Sequence, residues 1–359
     1  MKRALIVILM LALVAGGLFA QISLWGRAST GLEVAIEDDT TFHIYNHPDR
    51  GGAGKYQFEF DASYTTENEK AGGYGGLDVT GGEISGWDAN VWWKPVDVLK
   101  VVAGAGVYDW AWSTPGSLGD RNYTGDGVML YLDPMAGLNI YAGILPKGAF
   151  SDTALSLGTR YTSSGVFQLV ATLGYDGAAN SGDGQVDARA GVDILALAGM
   201  GVTKLAVDIN AVNLTKLSEA GEFQVGPRIN YDFAGFNGYV RANVRVPITD
   251  TQKNQGMNLR AGVRGQYTVV PGITARLDAA YGLKGTVDST NGEPFNPYTG
   301  WGQVPWSFTS ADTSVVGVQP AVVFNIDGKD LELGYGFLTQ LGDATKTKSA
   351  IYANFIVGF

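Results

Sequence analysis

Apolar and polar side chains alternate along most of this 359-residue chain. In residues 55–65 the even positions hold Tyr, Phe, Phe, Ala and Tyr, whereas every odd position is polar or charged. An alternation with a period of two places one set of side chains on each face of a β-strand, and a helix cannot separate the two sets. The pattern therefore predicts an all-β protein.

Segments of this kind recur up to the last residue, and the connections between them alternate in length. The short connections fall at 94–97, 133–137, 162–165, 232–235, 269–272 and 327–329, and longer ones at 37–53, 109–126 and 285–314. Tight turns at one rim and longer loops at the other are typical of an up-and-down transmembrane β-barrel. Seventeen clear segments, and an eighteenth at 74–81 that brings both chain ends to one rim, predict 18 strands, with 16 as the alternative.

The charges of the clear strands all fall on one face. The apolar set of positions contains no Asp, Glu, Lys or Arg, as a lipid environment requires, because each Arg or Lys at the bilayer midplane costs roughly 2–4 kcal/mol. Aromatic residues near strand ends, among them Trp25, Trp87, Trp93, Phe233 and Phe236, fit interfacial girdles. A barrel of 16 to 18 strands leaves an aqueous channel inside.

The N-terminus has the features of a secretory signal. Lys2 and Arg3 precede an apolar run at 4–15 and small residues at 16–20. The apolar run is short for a helix that crosses a bilayer. We therefore expect residues 1–20 to be a cleaved signal peptide and residues 21–359 to form a single β-barrel domain.

Composition removes several classes of function. The chain has no cysteine, which excludes disulfides and thiolate metal sites. Its formal charge is −10, and loss of Lys2 and Arg3 with the signal makes it −12, a balance that argues against binding of nucleic acid.

The C-terminal segment 349–359 alternates and ends on an aromatic residue. Phe355, Val357 and Phe359 belong to its apolar set. This ending resembles the signal that the insertion machinery reads in bacterial outer-membrane β-barrels. With the signal peptide, the uncharged outer faces and the alternating connections, the whole chain resembles the outer-membrane porins of diderm (Gram-negative type) bacteria. The resemblance implies a passive channel for small hydrophilic solutes or ions, located in the cell outer membrane, in contact with its lipid and commonly a homotrimer.

Inward-facing charges fall into two groups. Four consecutive strands carry arginines with inward parity, Arg228, Arg241, Arg245, Arg260, Arg264 and Arg276. Early strands carry the carboxylates Glu33, Glu59, Asp61, Asp78 and Asp88. Between residues 22 and 94 there are 12 acidic and 5 basic residues, but between 228 and 284 there are 3 acidic and 8 basic ones. This asymmetry predicts an arginine wall opposite an acidic wall, with a transverse field that affects solutes. The alternative is that the charges merely solvate the lumen and pair with neighbours such as Asp232 and Asp278.

Two further features bear on selectivity. Segment 109–126 occupies the place of the infolded constriction loop of porins, in which Asp109, Asp120, Arg121 and Asp126 would face the arginines; as an ordinary surface loop it would not. Trp92, Tyr108, Tyr131 and Tyr239 have inward parity, which a sugar-binding aromatic track requires.

Two other classes of function compete with the channel. A surface adhesin or structural barrel would bind through its loops. A barrel hydrolase usually needs a histidine to activate serine or water, and both histidines, His43 and His47, lie in the predicted loop 37–53. We therefore predict no enzyme activity, no cofactor and no metal site.

Overall fold

The computed structural model describes residues 20–36, 40–45, 57–80, 83–107, 125–147, 149–179, 183–195, 200–250, 258–283, 314–327, 329–341 and 347–358. The strands are β1 (Ala20–Ile36), β2 (Thr40–Tyr45), β3 (Gln57–Thr66), β4 (Ala71–Thr80), β5 (Glu83–Val96), β6 (Leu99–Val107), β7 (Gly125–Met135), β8 (Leu138–Lys147), β9 (Ala149–Ser163), β10 (Phe167–Asp176), β11 (Gln185–Ile194), β12 (Val202–Val212), β13 (Glu222–Phe233), β14 (Phe236–Val246), β15 (Asn258–Val270), β16 (Ile273–Gly282), β17 (Ser314–Ile326), β18 (Lys329–Leu341) and β19 (Thr347–Gly358). A 3₁₀ turn (Leu214–Lys216) leads into the four-residue helix α1 (Leu217–Ala220). Within these ranges, no helix has the length and apolar character needed to cross a membrane.

The strands form one closed antiparallel sheet. Each strand from β3 to β19 pairs with a neighbour on both edges. The last strand pairs with the first, from Arg27 opposite Gly358 to Ile36 opposite Ser349, which closes the ring. The predicted all-β, up-and-down antiparallel barrel is therefore confirmed.

The described residues form nineteen strands, one more than predicted. The additional strand, β2, lies inside segment 37–53, which we expected to be a loop. β1 pairs with β2 through its second half and with β3 through its first half. Because β19 occupies the other edge of β1 along residues 27–36, β2 and β3 lie end to end on the same edge. The loop prediction was wrong for residues 40–45, where β-branched and aromatic residues continue the wall.

The six predicted short connections join β5 to β6, β7 to β8, β9 to β10, β13 to β14, β15 to β16 and β17 to β18. The β13–β14 hairpin shows why the turn is tight: Ala234 and Gly235 both have positive φ, 50° and 82°, as a two-residue hairpin turn of the primed type requires. The start of β1 and the end of β19 lie at this short-turn rim. The opposite rim is less uniform than expected, since β4–β5 and β8–β9 are also closely connected.

Burial along the strands is the reverse of that in a water-soluble protein. In β10, Leu169 and Leu173 are exposed on one face, whereas Val170 and Thr172 are buried on the other. Large apolar side chains such as Val91 and Trp93 are more than half exposed. The most buried side chains include a set of polar and charged residues, Asp61, Asp187, Asp208, Asp278, Gln319 and Glu332. The apolar face points outwards, as a lipid-facing surface would, and the polar face lines the interior.

One predicted girdle residue lies on the wrong face. Trp25 pairs in register with Asp61, and directly opposed residues of an antiparallel pair share a face. The interfacial prediction for Trp25 is therefore wrong, because it rested on the position of Trp25 near a strand end and not on the face to which its side chain belongs. Trp87 pairs with Leu77 and does lie on the outer face.

Neighbouring residues near the middle of β5 provide a test of the two faces. Val91→Lys places an ammonium on the outer face, and we expect it to lower the free energy of unfolding in lipid vesicles by ~2–4 kcal/mol. The matched substitution Asn90→Lys adds the same charge to the lumen face and should have a much smaller effect. Urea unfolding of the refolded protein measures both, and equal losses would contradict the assignment of faces.

Candidate functional site: the charged lumen

The arginines of β13 to β16 form one patch on the inner wall. Arg228 is directly opposite Arg241, and Arg264 lies between Tyr239 on one neighbouring strand and Asp278 on the other. Arg276 is opposite Gln266. Direct opposition places these side chains on the same face of the sheet. For Arg260 the structure gives the register, opposite Asn243, but its side chain lies outside the described part.

Three guanidinium groups surround one tyrosine ring. The Cζ atoms of Arg228, Arg241 and Arg264 lie 5.6, 5.2 and 5.6 Å from the ring centroid of Tyr239. A guanidinium is planar and weakly hydrated, so it is attracted to an aromatic face. Arg228 Nε also donates to Asn230 Oδ1 at 2.8 Å. The tyrosine allows three like charges to approach one another on one wall.

Carboxylates neutralise the other side of the patch. Asp278 is fully buried and accepts a hydrogen bond from Arg264 Nε at 2.6 Å, and it forms an ion pair with Arg276, whose Nε lies 2.9 Å from Oδ2. Arg276 donates through both terminal nitrogens to Glu332, at 2.9 Å for the Nη1–Oε2 contact. Charge-assisted bidentate pairs of this kind fix the orientation of both groups.

The ion-pair network continues onto β19. Glu332 Oε1 also accepts from the Tyr352 hydroxyl at 2.8 Å, and Gln319 donates to the same hydroxyl. Gly334 makes room for this tyrosine, because a Cβ there would lie 2.1 Å from the Tyr352 hydroxyl oxygen. The network therefore joins four strands, β16 to β19, on their inner face.

The pairing of Arg276 with Glu332 was missed in the sequence. These residues lie on β16 and β18, and β17 runs between them. Arg276 reaches across because the residue opposite it on β17 is Ala321, and Ala321 is in turn opposite Gly334. The sequence did contain a signal for this ion pair, because small inward-facing residues on the next two strands leave space for the long arginine side chain. Glu222, which accepts from Arg245 at 3.1 Å, was also missed.

The arrangement has features of both hypotheses for the arginines, a shared wall and local pairing with carboxylates. Asp278 pairs with two arginines, as the alternative of local pairing predicted, whereas Asp232 lies exposed at the end of β13. The five arginines with described side chains are accompanied by three carboxylates, Glu222, Asp278 and Glu332. The arginines therefore share one wall, and carboxylates on that wall pair with Arg245, Arg264 and Arg276.

The early carboxylates also form one patch. Glu59 is opposite Asp78, and Asp61 is opposite Gly76, which in turn is opposite Asp88. The Tyr74 hydroxyl donates to Asp61. Gly76 is needed at this point, since a Cβ there would lie 2.6 Å from Asp61 Oδ1 and 2.8 Å from the Tyr74 hydroxyl oxygen.

The two patches lie on opposite sides of the ring. One path between them crosses the seven strands β6 to β12, and the other crosses β17 to β19 and β1. Glu33 is opposite Tyr352 in register on the shorter path, and its side chain lies outside the described part.

The remaining predicted site residues are placed as follows. Asp109, Asp120 and Arg121 lie outside the described residues. Asp126 is an exposed residue of β7 and belongs to the same alternating set as Val128, so it lies on the strand and not in the connecting segment. Phe355 is exposed on the outer face of β19 and Val357 is half-buried; Phe359 lies outside the described residues. Among the described residues there is no group of three potential metal ligands.

Ion pairing also ties together two connections at the long-loop rim. Lys216 Nζ donates to Asp183 Oδ2 at 2.6 Å, and Asp187 accepts from the backbone N–H of Asn213 at 2.8 Å. The hydrogen bond from Lys216 lowers the pKa of Asp183 below its usual value, and it raises the pKa of Lys216. The contribution of Asp183 to the stability of the folded state is present above the pKa that Asp183 has in the unfolded chain, and it is lost as the pH falls through the lowered pKa of the folded state. That of Lys216 is lost only as the pH rises through its raised value.

Solved structures with a similar fold include three proteins of Pseudomonas aeruginosa. OpdQ is 10% identical with a TM-score of 0.57, and the match covers 95% of this chain and 98% of that one. OpdL is 12% identical with a TM-score of 0.55, covering 95% and 99%. The outer membrane protein opdK is 9% identical with a TM-score of 0.54, covering 94% and 99%. No protein-family model matches the sequence, and no curated protein is significantly similar to it. The chain therefore has the β-barrel fold of these proteins.

Asp278 is the carboxylate whose loss should cost most stability. Asp278→Asn removes the charge that two arginines share, and we expect it to lower the free energy of unfolding by ~3 kcal/mol, because one side of a buried ion pair is then left uncompensated. The matched change Asp232→Asn, at an exposed position, should alter the stability by less than about 0.5 kcal/mol. Urea unfolding in vesicles compares them, and a neutral Asp278→Asn would show that the pairing is not structural.

Proposed function

We propose that this chain forms a water-filled channel in the bacterial outer membrane through which small hydrophilic solutes diffuse passively. The observation that carries the proposal is a closed barrel with an apolar exterior and an interior lined by charged residues. Such an interior is costly unless water and solutes occupy it, and barrels of this strand number are too wide for side chains to fill. The solved porins of similar fold support the same function.

The lumen charge suggests which solutes the channel favours. The arginine patch contributes five guanidinium groups with described side chains, and the acidic patch opposite contributes the four carboxylates Glu59, Asp61, Asp78 and Asp88. A transverse field between these walls orients polar solutes. Solutes with a carboxylate or phosphate approach the guanidinium groups, whose planar donors match those anions.

The cellular context completes the proposal. Residues 1–20 act as the signal peptide, and Phe355, Val357 and Phe359 form the segment that the insertion machinery reads. The exposed apolar face contacts outer-membrane lipid, and the channel assembles as a homotrimer. The lumen provides transport and not catalysis.

Reversal potentials test the role of the arginine wall. Planar-bilayer recordings in a salt gradient should show large stepwise conductance for the wild type. Arg241→Ser with Arg264→Ser removes two charges beside Tyr239, and we expect the permeability ratio to shift towards cations by about twofold to fivefold, since a charge contact in water contributes ~1 kcal/mol.

The control removes two lumen arginines elsewhere, with Arg160→Ser on β9 and Arg189→Ser on β11. If the arginine wall governs selectivity, the permeability ratio shifts more in the variant with Arg241→Ser and Arg264→Ser than in the control. Equal shifts would mean that net lumen charge alone governs selectivity. A folded, inserted wild-type barrel without conductance would overturn the channel function.

A further inference from the structure

A cavity of about 690 Å³ lies in the inner wall at the short-turn end of the lumen, between β3 and β8. Its lining includes Trp92 and Lys94 of β5, Lys100 of β6 and Tyr131 of β7. The volume lies within the range of about 300–1,000 Å³ that is typical of small-molecule sites. The cavity is on the opposite side of the ring from the arginines of β13 to β16.

Two lysine ammonium groups stand over the aromatic rings of this cavity. The ammonium of Lys100 lies 5.0 Å from the ring centroid of Trp92 and 5.9 Å from that of Tyr131, and the ammonium of Lys94 lies 5.6 Å from that of Trp92. A cation is attracted electrostatically to the face of an aromatic ring. The rings therefore hold two positive charges of the protein at one place on the wall.

The rings themselves are fixed by packing. Trp92 and Tyr131 lie against Val102 and Met129, both buried, in an apolar cluster on the lumen face. A Cβ on Gly72 would lie 2.5 Å from two atoms of the Trp92 ring, so glycine at this position leaves room for the indole. Because the support is already ordered, a ligand that binds to the ammonium groups pays little entropy to order it.

Neither of these ammonium groups has a carboxylate partner among the residues that the structure describes. Two carboxylates line the cavity, but Asp97 is paired with Lys70, and Asp133 accepts from Asn139 at 2.5 Å. Lys94 and Lys100 are half-buried. A charge that is partly removed from water is costly unless an opposite charge accompanies it, so the two lysines favour a ligand that supplies negative charge.

The acidic patch on the same wall is too distant to serve as that partner. Asp88 and Trp92 share the inner face of β5, four positions apart, which is about 13 Å along a strand. In a water-filled lumen at physiological ionic strength, charges are largely screened beyond ~8 Å. The field at the cavity is therefore set mainly by its own lysines.

Uncharged groups of the lining add further donors. The amide of Asn90 and the hydroxyl of Tyr64 both line the cavity and can each donate a hydrogen bond. An ammonium has three donor positions and no acceptor. Because donors exceed free acceptors here, the complementary ligand is small, negatively charged and rich in oxygen.

We propose that this cavity is a binding site for a small oxyanion with two negative charges, the class of sulfate and hydrogen phosphate. The ammonium groups of Lys94 and Lys100 neutralise the two charges, and Asn90 and Tyr64 donate to the remaining oxygens. A monoanion leaves one ammonium group without a counter-charge. The inference rests on the proposed channel function, because the ligand reaches the cavity through the lumen, and it gives the short-turn end a site for dianions that is separate from the arginine wall.

The structure also revises the predicted aromatic track. Trp92 and Tyr131 meet in this cavity, but Tyr239 lies among the arginines on β14, and Tyr108 is outside the described residues. All three described rings have a cation within about 6 Å of their centroids. Their faces therefore hold charges of the protein instead of a sugar.

The test is equilibrium dialysis of labelled sulfate against the refolded protein. We expect saturable binding in the wild type and a Kd about tenfold higher in Lys100→Met, which loses one of the two charge contacts. Lys204→Met is the matched control, because Lys204 is also a half-buried lumen lysine, but its ammonium lies 4.0 Å from the carboxylate of Asp193; its Kd should equal that of the wild type. Lys100→Arg keeps the charge and should restore most of the affinity.

Two comparisons separate this site from general attraction to a charged lumen. The variant with Arg241→Ser and Arg264→Ser keeps both lysines and should bind sulfate as the wild type does. Unlabelled acetate, a monoanion, should compete at least tenfold less effectively than unlabelled sulfate at the same ionic strength.

Binding that weakens equally in Lys100→Met and Lys204→Met would overturn the site, as would sulfate binding that is lost with the two arginines and not with Lys100. Equal competition by acetate would overturn the preference for dianions. Circular dichroism establishes that each variant is folded, and a folded wild type without saturable binding would also overturn the site. Dialysis gives its answer without any conductance, so failure of the site and failure of the channel are distinguishable.

Discussion

The pairing of β19 with β1 is the contact on which the rest of the structure depends. In hydrocarbon each unpaired backbone N–H or C=O costs several kcal/mol, so a sheet that spans a membrane must close on itself. The register from Arg27–Gly358 to Ile36–Ser349 achieves this along ten consecutive pairs. It also fixes the ring order, and with it the wall that each strand occupies.

Closure decides where charge goes. With the outer face given to apolar side chains, every charged residue of a strand interior must face the lumen, where neighbouring strands bring like and unlike charges together. The protein stabilises this crowding in two ways. The ring of Tyr239 lies among three arginines. Asp278 forms ion pairs with Arg264 and Arg276, and Glu332 forms one with Arg276. Small residues such as Ala321 and Gly334 provide the space in which long side chains meet across a strand.

The fold was largely predictable because alternation is a local property. The strands, the short turns and the separation of faces could all be read from a few residues at a time, although β2 was hidden in a segment that breaks after six residues. The partners of individual side chains were harder to predict from the sequence. Arg276 and Glu332 are 56 residues apart, and their meeting depends on what lies on the strand between them. The prediction for Trp25 failed for a related reason, since the pairing of β1 with β3 determines the face on which Trp25 lies.

The separation of the two charged walls follows from chain order, and this gives the lumen its character. Acidic strands β3 to β5 and basic strands β13 to β16 are far apart in sequence, so the up-and-down ring places them on opposite sides. Had they been adjacent, Asp61 and Arg241 would pair and the field would vanish into local contacts. The wall of β13 to β16 carries five arginines with described side chains, and the wall of β3 to β5 carries Glu59, Asp61, Asp78 and Asp88, so the two sides of the ring differ in the charge they present. Four residues along β5 from Asp88, on the same inner face, Trp92 lies beneath the ammonium groups of Lys94 and Lys100, so the carboxylates of the acidic patch give way to cations held on an aromatic ring.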